Sequence, residues 1–337
     1  MERLVPIVDQ LEEAKGFILR ADLSHLRLAL LLLDNASEVL MYRAVNGELY
    51  WQDFGSKIFS RAREIMPDEE FEAFRAESGY NPLSSKERKT LLQNYNAKVD
   101  FLSALKKEGR HIPVPLGGVL KAFHRYRNEA YHRDRVRKGT IRPVVTVFFD
   151  IVADLILILK PGSMSYSSTD DWTEFCKRYG FENPHQVFSE GLSRIVDTLK
   201  KDMHPDVGAI AGALADHIDS RVDEMEETLG FLSKDSGAGF SIEEELRRVQ
   251  FWAEFDYVPH NRNEELFEKY TAPITLETFT EWRSQGSQLK DEPDKLRLFL
   301  RFAEIEGAIE PLEERIHEAA SLLDEAIQLE IDRARGK

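Results

Sequence analysis

Residues 26–45 read LRLALLLLDNASEVLMYRAV, and this segment decides the fold. It is apolar nearly all the way round a helix, and Asp22 stands just before it as a suitable N-cap. The pattern predicts a helix from Leu23 to about Val45. Asn46 and Gly47 are expected to end it, because both residue types tolerate the left-handed conformation of a helix terminus. A helix that is apolar on every side must be covered by other helices, so the segment predicts the centre of a helical bundle.

Helical patterns continue on both sides of this segment. Ser84 with Glu87, and Ser241 with Glu244, have the spacing of a capping box, in which two side chains satisfy the backbone at a helix start. Pro143 is well placed in the first turn of a helix. No segment alternates apolar and polar residues as a half-buried strand does, so the fold class is predicted to be all-α. Further helices are expected at about residues 4–19, 58–65, 69–77, 84–107, 116–136, 144–159, 170–180, 184–203, 206–233, 241–255, 275–290 and 294–333.

Charge is distributed unevenly along the chain. The formal net charge is −15, but residues 1–160 contain 25 basic and 22 acidic side chains, whereas the remainder contains 20 and 38. The change coincides with a Pro/Gly/Ser-rich segment that starts at Lys160. Two domains are therefore predicted: a helical bundle at residues 1–160 that handles an anion, and an acidic α-helical domain at residues 161–337.

The composition also indicates a cellular setting. Cys176 is the only cysteine, so neither an intramolecular disulfide nor a cysteine-type zinc site is expected. The first 20 residues contain acids throughout and do not resemble a signal peptide. The most apolar run, residues 144–159, is interrupted by two aspartates and is shorter than a membrane span requires. A cytoplasmic protein that does not associate with membranes is expected.

A basic stretch stands out in this acidic chain. Residues 121–142 read KAFHRYRNEAYHRDRVRKGTIR and contain eight Lys or Arg and two His against two acids. Such a cluster is typical of a surface that binds a polyanion, with RNA as the first candidate. The residues predicted to contact RNA phosphates are Lys121, Arg125, Arg133, Arg135, Arg137 and Lys138.

Arg127 breaks the helical pattern within this stretch. On a wheel of ~100° per residue, Leu116, Leu120 and Tyr126 share an apolar stripe, and Arg127 falls within it. A guanidinium on a packing face is costly unless it is paired or faces an anion. His132 points ~140° away from Arg127 on an ideal helix. Either a helix distortion or a second copy of the chain is therefore needed to bring such a pair to one phosphate.

These side chains suit metal-independent RNA cleavage. A histidine can accept the 2′-hydroxyl proton and a histidine or water can protonate the 5′-oxygen, while an arginine stabilises the charge on the pentacoordinate phosphate. The sequence Arg127-Asn128-Glu129-Ala130-Tyr131-His132, late in a helical bundle, resembles the motif of the HEPN ribonucleases over about residues 20–160. The resemblance implies a homodimer with a composite cleft, no metal or other cofactor, and a role as a toxin or antiphage effector. It makes Arg127, Asn128 and His132 the catalytic residues.

Several alternatives remain open at this level. Arg127 could form a structural ion pair with Glu38 or Glu129, and the chain could be a non-catalytic helical scaffold that binds RNA or a protein. The same Arg–His spacing occurs at Arg20 and His25, without the basic surroundings. The C-terminal half could sense a trigger or bind an antitoxin or phage-protein partner.

Overall fold

The computed structural model describes residues 4–78, 81–105, 110–132, 138–160, 172–187, 191–235, 239–255 and 263–335. Within these ranges every regular element is a helix, which confirms the predicted all-α class. The chain forms two compact units, Met1–Pro205 and Asp206–Lys337. The helices described in the first unit are α1 (Leu4–Arg20), α2 (Leu23–Ile65), α3 (Asp68–Ser78), α4 (Ser85–Gln93), α5 (Tyr95–Ala104), α6 (Val114–His132), α7 (Ile141–Ile158), α8 (Trp172–Tyr179), the single turn α9 (Pro184–Gln186) and α10 (Leu192–Lys200).

Helix α2 is the central element of the first unit, as its sequence predicts. It packs against α1, α7, α5 and α6, and the side chain of Asp22 caps its first turn by accepting from the His25 amide. It does not end at Asn46-Gly47, where the sequence predicted a terminus, but continues to Ile65. Val45, Glu48 and Leu49 are buried on both sides of the glycine. This packing outweighs the ~1 kcal/mol that a glycine costs inside a helix.

The segment after α3 also differs from its prediction at one point. The capping box of Ser84 and Glu87 is present, but the expected single helix divides at Asn94. Asn94 ends α4 and caps α5, because its side-chain oxygen accepts from the Ala97 amide at 2.9 Å. An asparagine competes for backbone donors in this way and so starts a new helix where propensity alone would continue the old one.

The apolar helix α7 is tied to α10 by charge. Lys200 of α10 lies 2.8 Å from Asp150 and 2.7 Å from Asp154, the two acids that interrupt the apolar run of α7. Because α10 packs on α7, it belongs to the first unit. The two units divide after Pro205, whereas the charge shift along the sequence predicts a domain boundary near residue 161. In the described ranges, no helix combines the length and apolar character that a membrane crossing requires.

The second unit is a separate helical assembly. Arg221 of its first long helix lies 3.3 Å from Glu306 and 2.5 Å from Glu313, both on its last helix. Glu306 is fully buried, so this ion-pair cluster joins the two helices inside the unit. The helices described here are α11 (Val207–Asp235), α12 (Ile242–Glu254), α13 (Asn263–Lys269, not predicted), α14 (Leu276–Gln288) with a short 3₁₀ turn (Leu289–Asp291), and α15 (Lys295–Ala334).

Candidate nucleic-acid interface

Helix α6 carries the motif residues and is held on its apolar side. The predicted stripe is buried, and the close approach of α5 is made possible by Gly117. A Cβ atom at Gly117 would lie 3.0 Å from both Ser103 Oγ and Val99 Cγ1, so only glycine fits without displacement. On the neighbouring face, the Phe123 ring packs 5.0 Å from the Phe148 ring of α7. The buried residues of α6 are Leu116, Gly117, Val119, Leu120, Ala122, Phe123, Tyr126, Glu129 and Ala130.

Arg127 faces α2, and its partner there is Asp34. Its Nε lies 3.3 Å from Asp34 Oδ2, and its Nη1 donates to Asn128 Oδ1 at 2.9 Å. The guanidinium carbon lies 5.2 Å from the centroid of the Tyr131 ring. The side chain remains 28% exposed, so one part of the guanidinium reaches solvent. The partners considered from sequence have other contacts: Glu38 binds Lys98 at 2.9 Å, and Glu129 lies 3.7 Å from Arg125.

His132 is the last residue of α6, and its side chain is exposed. Its ring packs edge-on against the Tyr131 ring, with centroids 4.9 Å apart. Tyr131 is 61% exposed, and its ring contacts both the Arg127 guanidinium and the His132 ring. Helix α6 runs without interruption from Val114 to His132, so no break in the helix separates Arg127 from His132.

A buried polar network lies behind Arg127, and sequence reasoning did not identify it. Asp34 is 1% exposed, and its Oδ1 lies 2.9 Å from Nδ1 of His124. The His124 ring stacks on Tyr95 of α5, with centroids 3.9 Å apart and planes 4° from parallel. The Tyr95 hydroxyl lies 3.0 Å from Ser37 Oγ. The only sequence signal was a carboxylate within the apolar run LLLLDNAS, where a buried acid needs cationic or hydrogen-bonding partners.

The environment of Asp34 acts on its proton affinity in two directions. Burial raises the pKa of the Asp34 carboxyl above its ordinary value. The hydrogen bond from His124 and the charges of His124 and Arg127 oppose this effect, because they favour the ionised form. The two partners on α6 therefore compensate part of the cost of placing an acid inside the bundle.

Of the other side chains predicted to contact RNA phosphates, two already lie near a carboxylate. Lys121 lies 2.5 Å from Asp100 of α5, and Arg125 lies 3.7 Å from Glu129 with its guanidinium carbon 5.5 Å from the Tyr126 ring. Lys138 is exposed in a turn. Arg133, Arg135 and Arg137 lie outside the described residues.

The second Arg–His pair is in direct contact. Nη1 of Arg20 lies 3.0 Å from Nε2 of His25, whose Nδ1 is bonded to the Asp22 carboxylate. This pair lies at the start of α2, the end at which Arg27 donates to the carbonyl of Ala130 on α6 at 2.9 Å. The same sequence spacing has different results at the two places. Arg20 and His25 meet because a helix junction lies between them, whereas Arg127 and His132 lie within one helix, which does not bring them together in this way.

Within the described part of the chain, no group of three or more His, Cys, Asp or Glu side chains is arranged to hold a metal ion. Comparison of the chain with protein-family models, with curated proteins and with solved structures found no match in any of the three.

Proposed function

We propose that this chain is a metal-independent endoribonuclease of the HEPN type, with Arg127, Asn128 and His132 as its catalytic residues. The observation that carries the proposal is the setting of Arg127. Its guanidinium is held against Asp34 and Asn128 while part of it stays exposed, and Tyr131 connects it to the exposed His132. A cation fixed at a surface, in contact with the ring against which His132 also packs, suits a phosphate whose charge grows during reaction.

The chemistry follows from these side chains. Neutral His132 takes the proton of the 2′-hydroxyl, and the 2′-oxygen attacks phosphorus in line with the 5′-oxygen. Arg127 stabilises the charge on the non-bridging oxygens as the new P–O bond forms. The bond from phosphorus to the 5′-oxygen then breaks, and a protonated histidine delivers a proton to that oxygen. The products are a 2′,3′-cyclic phosphate and a 5′-hydroxyl.

The second proton-transfer group is supplied by a second copy of the chain. Helix α6 supplies one motif histidine, His132, and the ~140° that separates it from Arg127 on an ideal helix directs the two side chains differently. Two copies related by a two-fold axis would place one His132 on each side of a phosphate. The active form is therefore a homodimer, and a monomer that cleaves RNA would contradict this part of the mechanism.

A non-catalytic scaffold is the second candidate function, and one observation favours it. Lys121, Arg125 and Arg127 each have a carboxylate neighbour, as cations in a purely structural role would. In that case the surface binds RNA or a protein partner without cleaving. The scaffold predicts RNA binding without products and no toxicity on expression, whereas the ribonuclease predicts both cleavage and toxicity.

The cellular role in this proposal is that of a toxin or antiphage effector. The unit Asp206–Lys337 would then sense a trigger or bind an antitoxin or phage protein.

The test is cleavage of end-labelled RNA by purified protein in EDTA. His132→Ala and Arg127→Ala should each lower the rate at least 100-fold. A positioned acid–base group contributes ~10²–10⁴-fold, and one donor that stabilises the transition-state charge contributes ~10²–10³-fold. His204→Ala is the matched control, because His204 is also exposed in the first unit but lies outside the motif. Cleavage by His132→Ala at the parental rate would reject the proposal.

A further inference from the structure

We propose that Asp34 is the positioning residue of Arg127, holding the Nε edge of the guanidinium so that its Nη groups are presented to an RNA phosphate. This inference rests on the proposed function and deepens it, because it adds a buried residue of α2 to a site otherwise built on α6.

Both carboxylate oxygens of Asp34 are directed at α6. Oδ1 lies 2.9 Å from Nδ1 of His124, and Oδ2 lies 3.3 Å from Nε of Arg127. Because one oxygen is bound to His124, the carboxylate cannot rotate without losing that bond. The orientation of the oxygen that faces Arg127 is therefore set by His124.

His124 is itself fixed on its other side. Its ring lies flat on the Tyr95 ring, 3.9 Å away, and the Tyr95 hydroxyl is bound to Ser37 on α2. These side-chain contacts form a closed circuit that starts on α2 at Ser37, passes through α5 and α6, and returns to α2 at Asp34. A group held by packing and hydrogen bonds on several elements keeps its geometry when a ligand binds.

Arg127 is constrained from three directions. Asp34 meets the Nε edge, Asn128 accepts from Nη1, and the Tyr131 ring covers one face. A guanidinium has five N–H donors. The 3.3 Å contact between Nε and Asp34 Oδ2 is an ion pair and not a hydrogen bond, and among the described residues the bond from Nη1 to Asn128 is the one hydrogen bond that these donors make. The Nη2 group is left for a phosphate.

The cost of burying Asp34 supports a specific role. A carboxylate with 1% exposure in an apolar helix is expensive, and burial raises its pKa. A leucine at this position would continue the apolar run without that cost. The neighbouring acid Glu38 is different, because it is 40% exposed and binds Lys98 rather than Arg127.

The experiment compares Asp34→Asn with Glu38→Gln, which makes the same replacement of a carboxylate by an amide one helical turn away. Asp34→Asn should lower kcat for RNA cleavage at least tenfold with KM changed less than threefold, since a misplaced arginine loses contacts mainly in the transition state. Glu38→Gln should leave kcat within threefold of the parent. Equal kcat values for the parent and Asp34→Asn would overturn the inference.

A second measurement does not depend on cleavage. The Nε–H resonance of Arg127 in a ¹H–¹⁵N spectrum, assigned through its loss in Arg127→Lys, should shift or broaden in Asp34→Asn and stay in place in Glu38→Gln. If the parent does not cleave RNA but the resonance responds in this way, the proposed function fails and the positioning role stands. A resonance that is unchanged in Asp34→Asn rejects the positioning role whether or not RNA is cleaved.

A further variant covers the case in which Asp34→Asn does not fold. His124→Ala frees Oδ1 and lets the carboxylate rotate, so the Arg127 resonance should broaden. An unchanged resonance in folded His124→Ala would contradict the closed circuit of side-chain contacts on which the inference depends.

Discussion

Tyr95→Phe should destabilise the parent protein but stabilise a Ser37→Ala variant. Both residues are buried, and their oxygens lie 3.0 Å apart. Ser37 Oγ already donates to the Asp34 carbonyl at 2.8 Å, so the Tyr95 hydroxyl is the donor in the pair. Burial raises the pKa of Tyr95 well above its ordinary value, which keeps the hydroxyl protonated. Removal of this hydroxyl therefore has opposite consequences depending on whether its acceptor is present.

The magnitudes follow from the hydrogen-bond inventory. In the parent, Tyr95→Phe loses one neutral hydrogen bond and should lower the free energy of unfolding by about 1 kcal/mol. In the Ser37→Ala background, the hydroxyl is buried without its acceptor, which costs about 1–3 kcal/mol. Removing it there should recover most of that cost. Ser37→Ala alone should destabilise the protein by slightly less than this cost of the unpaired hydroxyl, because alanine gains roughly 0.5 kcal/mol in helix propensity.

The assay must report on the first unit, because a chain of two units need not unfold in one step. Urea titration followed by hydrogen exchange of peptides from α5 and α6 meets this requirement. Tyr50→Phe is the matched control: Tyr50 is 67% exposed and should give changes near zero in both backgrounds. If Tyr95→Phe changes stability with the same sign in both backgrounds, the assignment of Tyr95 as the donor is refuted.

Two further predictions concern buried charge. The folded-state pKa of Asp34 is raised above its ordinary value of 3.8, so the native state holds this proton to higher pH than the unfolded chain does. The parent should therefore lose stability relative to Asp34→Asn as pH rises from about 4 through the folded-state pKa. Urea titrations at several pH values measure this, and a difference in unfolding free energy between the two proteins that does not change with pH would count against it. Arg221→Ala removes a cation from the fully buried Glu306 and should lower the free energy of unfolding by about 3 kcal/mol or more. Arg61→Ala breaks a pair whose side chains are 75% and 61% exposed, so it should lower that free energy by less than about 1 kcal/mol. Hydrogen exchange within each unit measures both changes, and similar costs would contradict the role of burial.

Helix positions were predictable where the determinant is local. Asp22, Ser84 and Ser241 cap the helices that their sequences indicated, because a cap needs only the next three residues. Pro143 likewise stands in the first turn of α7. The apolar character of residues 26–45 was enough to predict a central helix.

Other features depended on partners distant in the chain. The continuation of α2 through Gly47 depends on tertiary packing around Val45 and Leu49. The contact of α10 with α7 in the first unit includes Lys200 meeting two aspartates of α7. No local pattern contains these contacts. The HEPN resemblance, RNA as ligand and the homodimer remain predictions that the proposed experiments address.

The candidate site likewise has features that the sequence alone determines and features that depend on the tertiary structure. The sequence by itself determined that Arg127 lies on the packing side of a basic helix and that His132 does not, because helical periodicity sets the direction of each side chain. Only the tertiary structure decided which acid meets Arg127, since Asp34 is 93 positions earlier in the numbering and reaches α6 through helix packing. The same packing brings Tyr95 under His124 and so builds a buried support for a surface arginine. Periodicity fixes the direction of a side chain within its helix, but the fold fixes what it meets there.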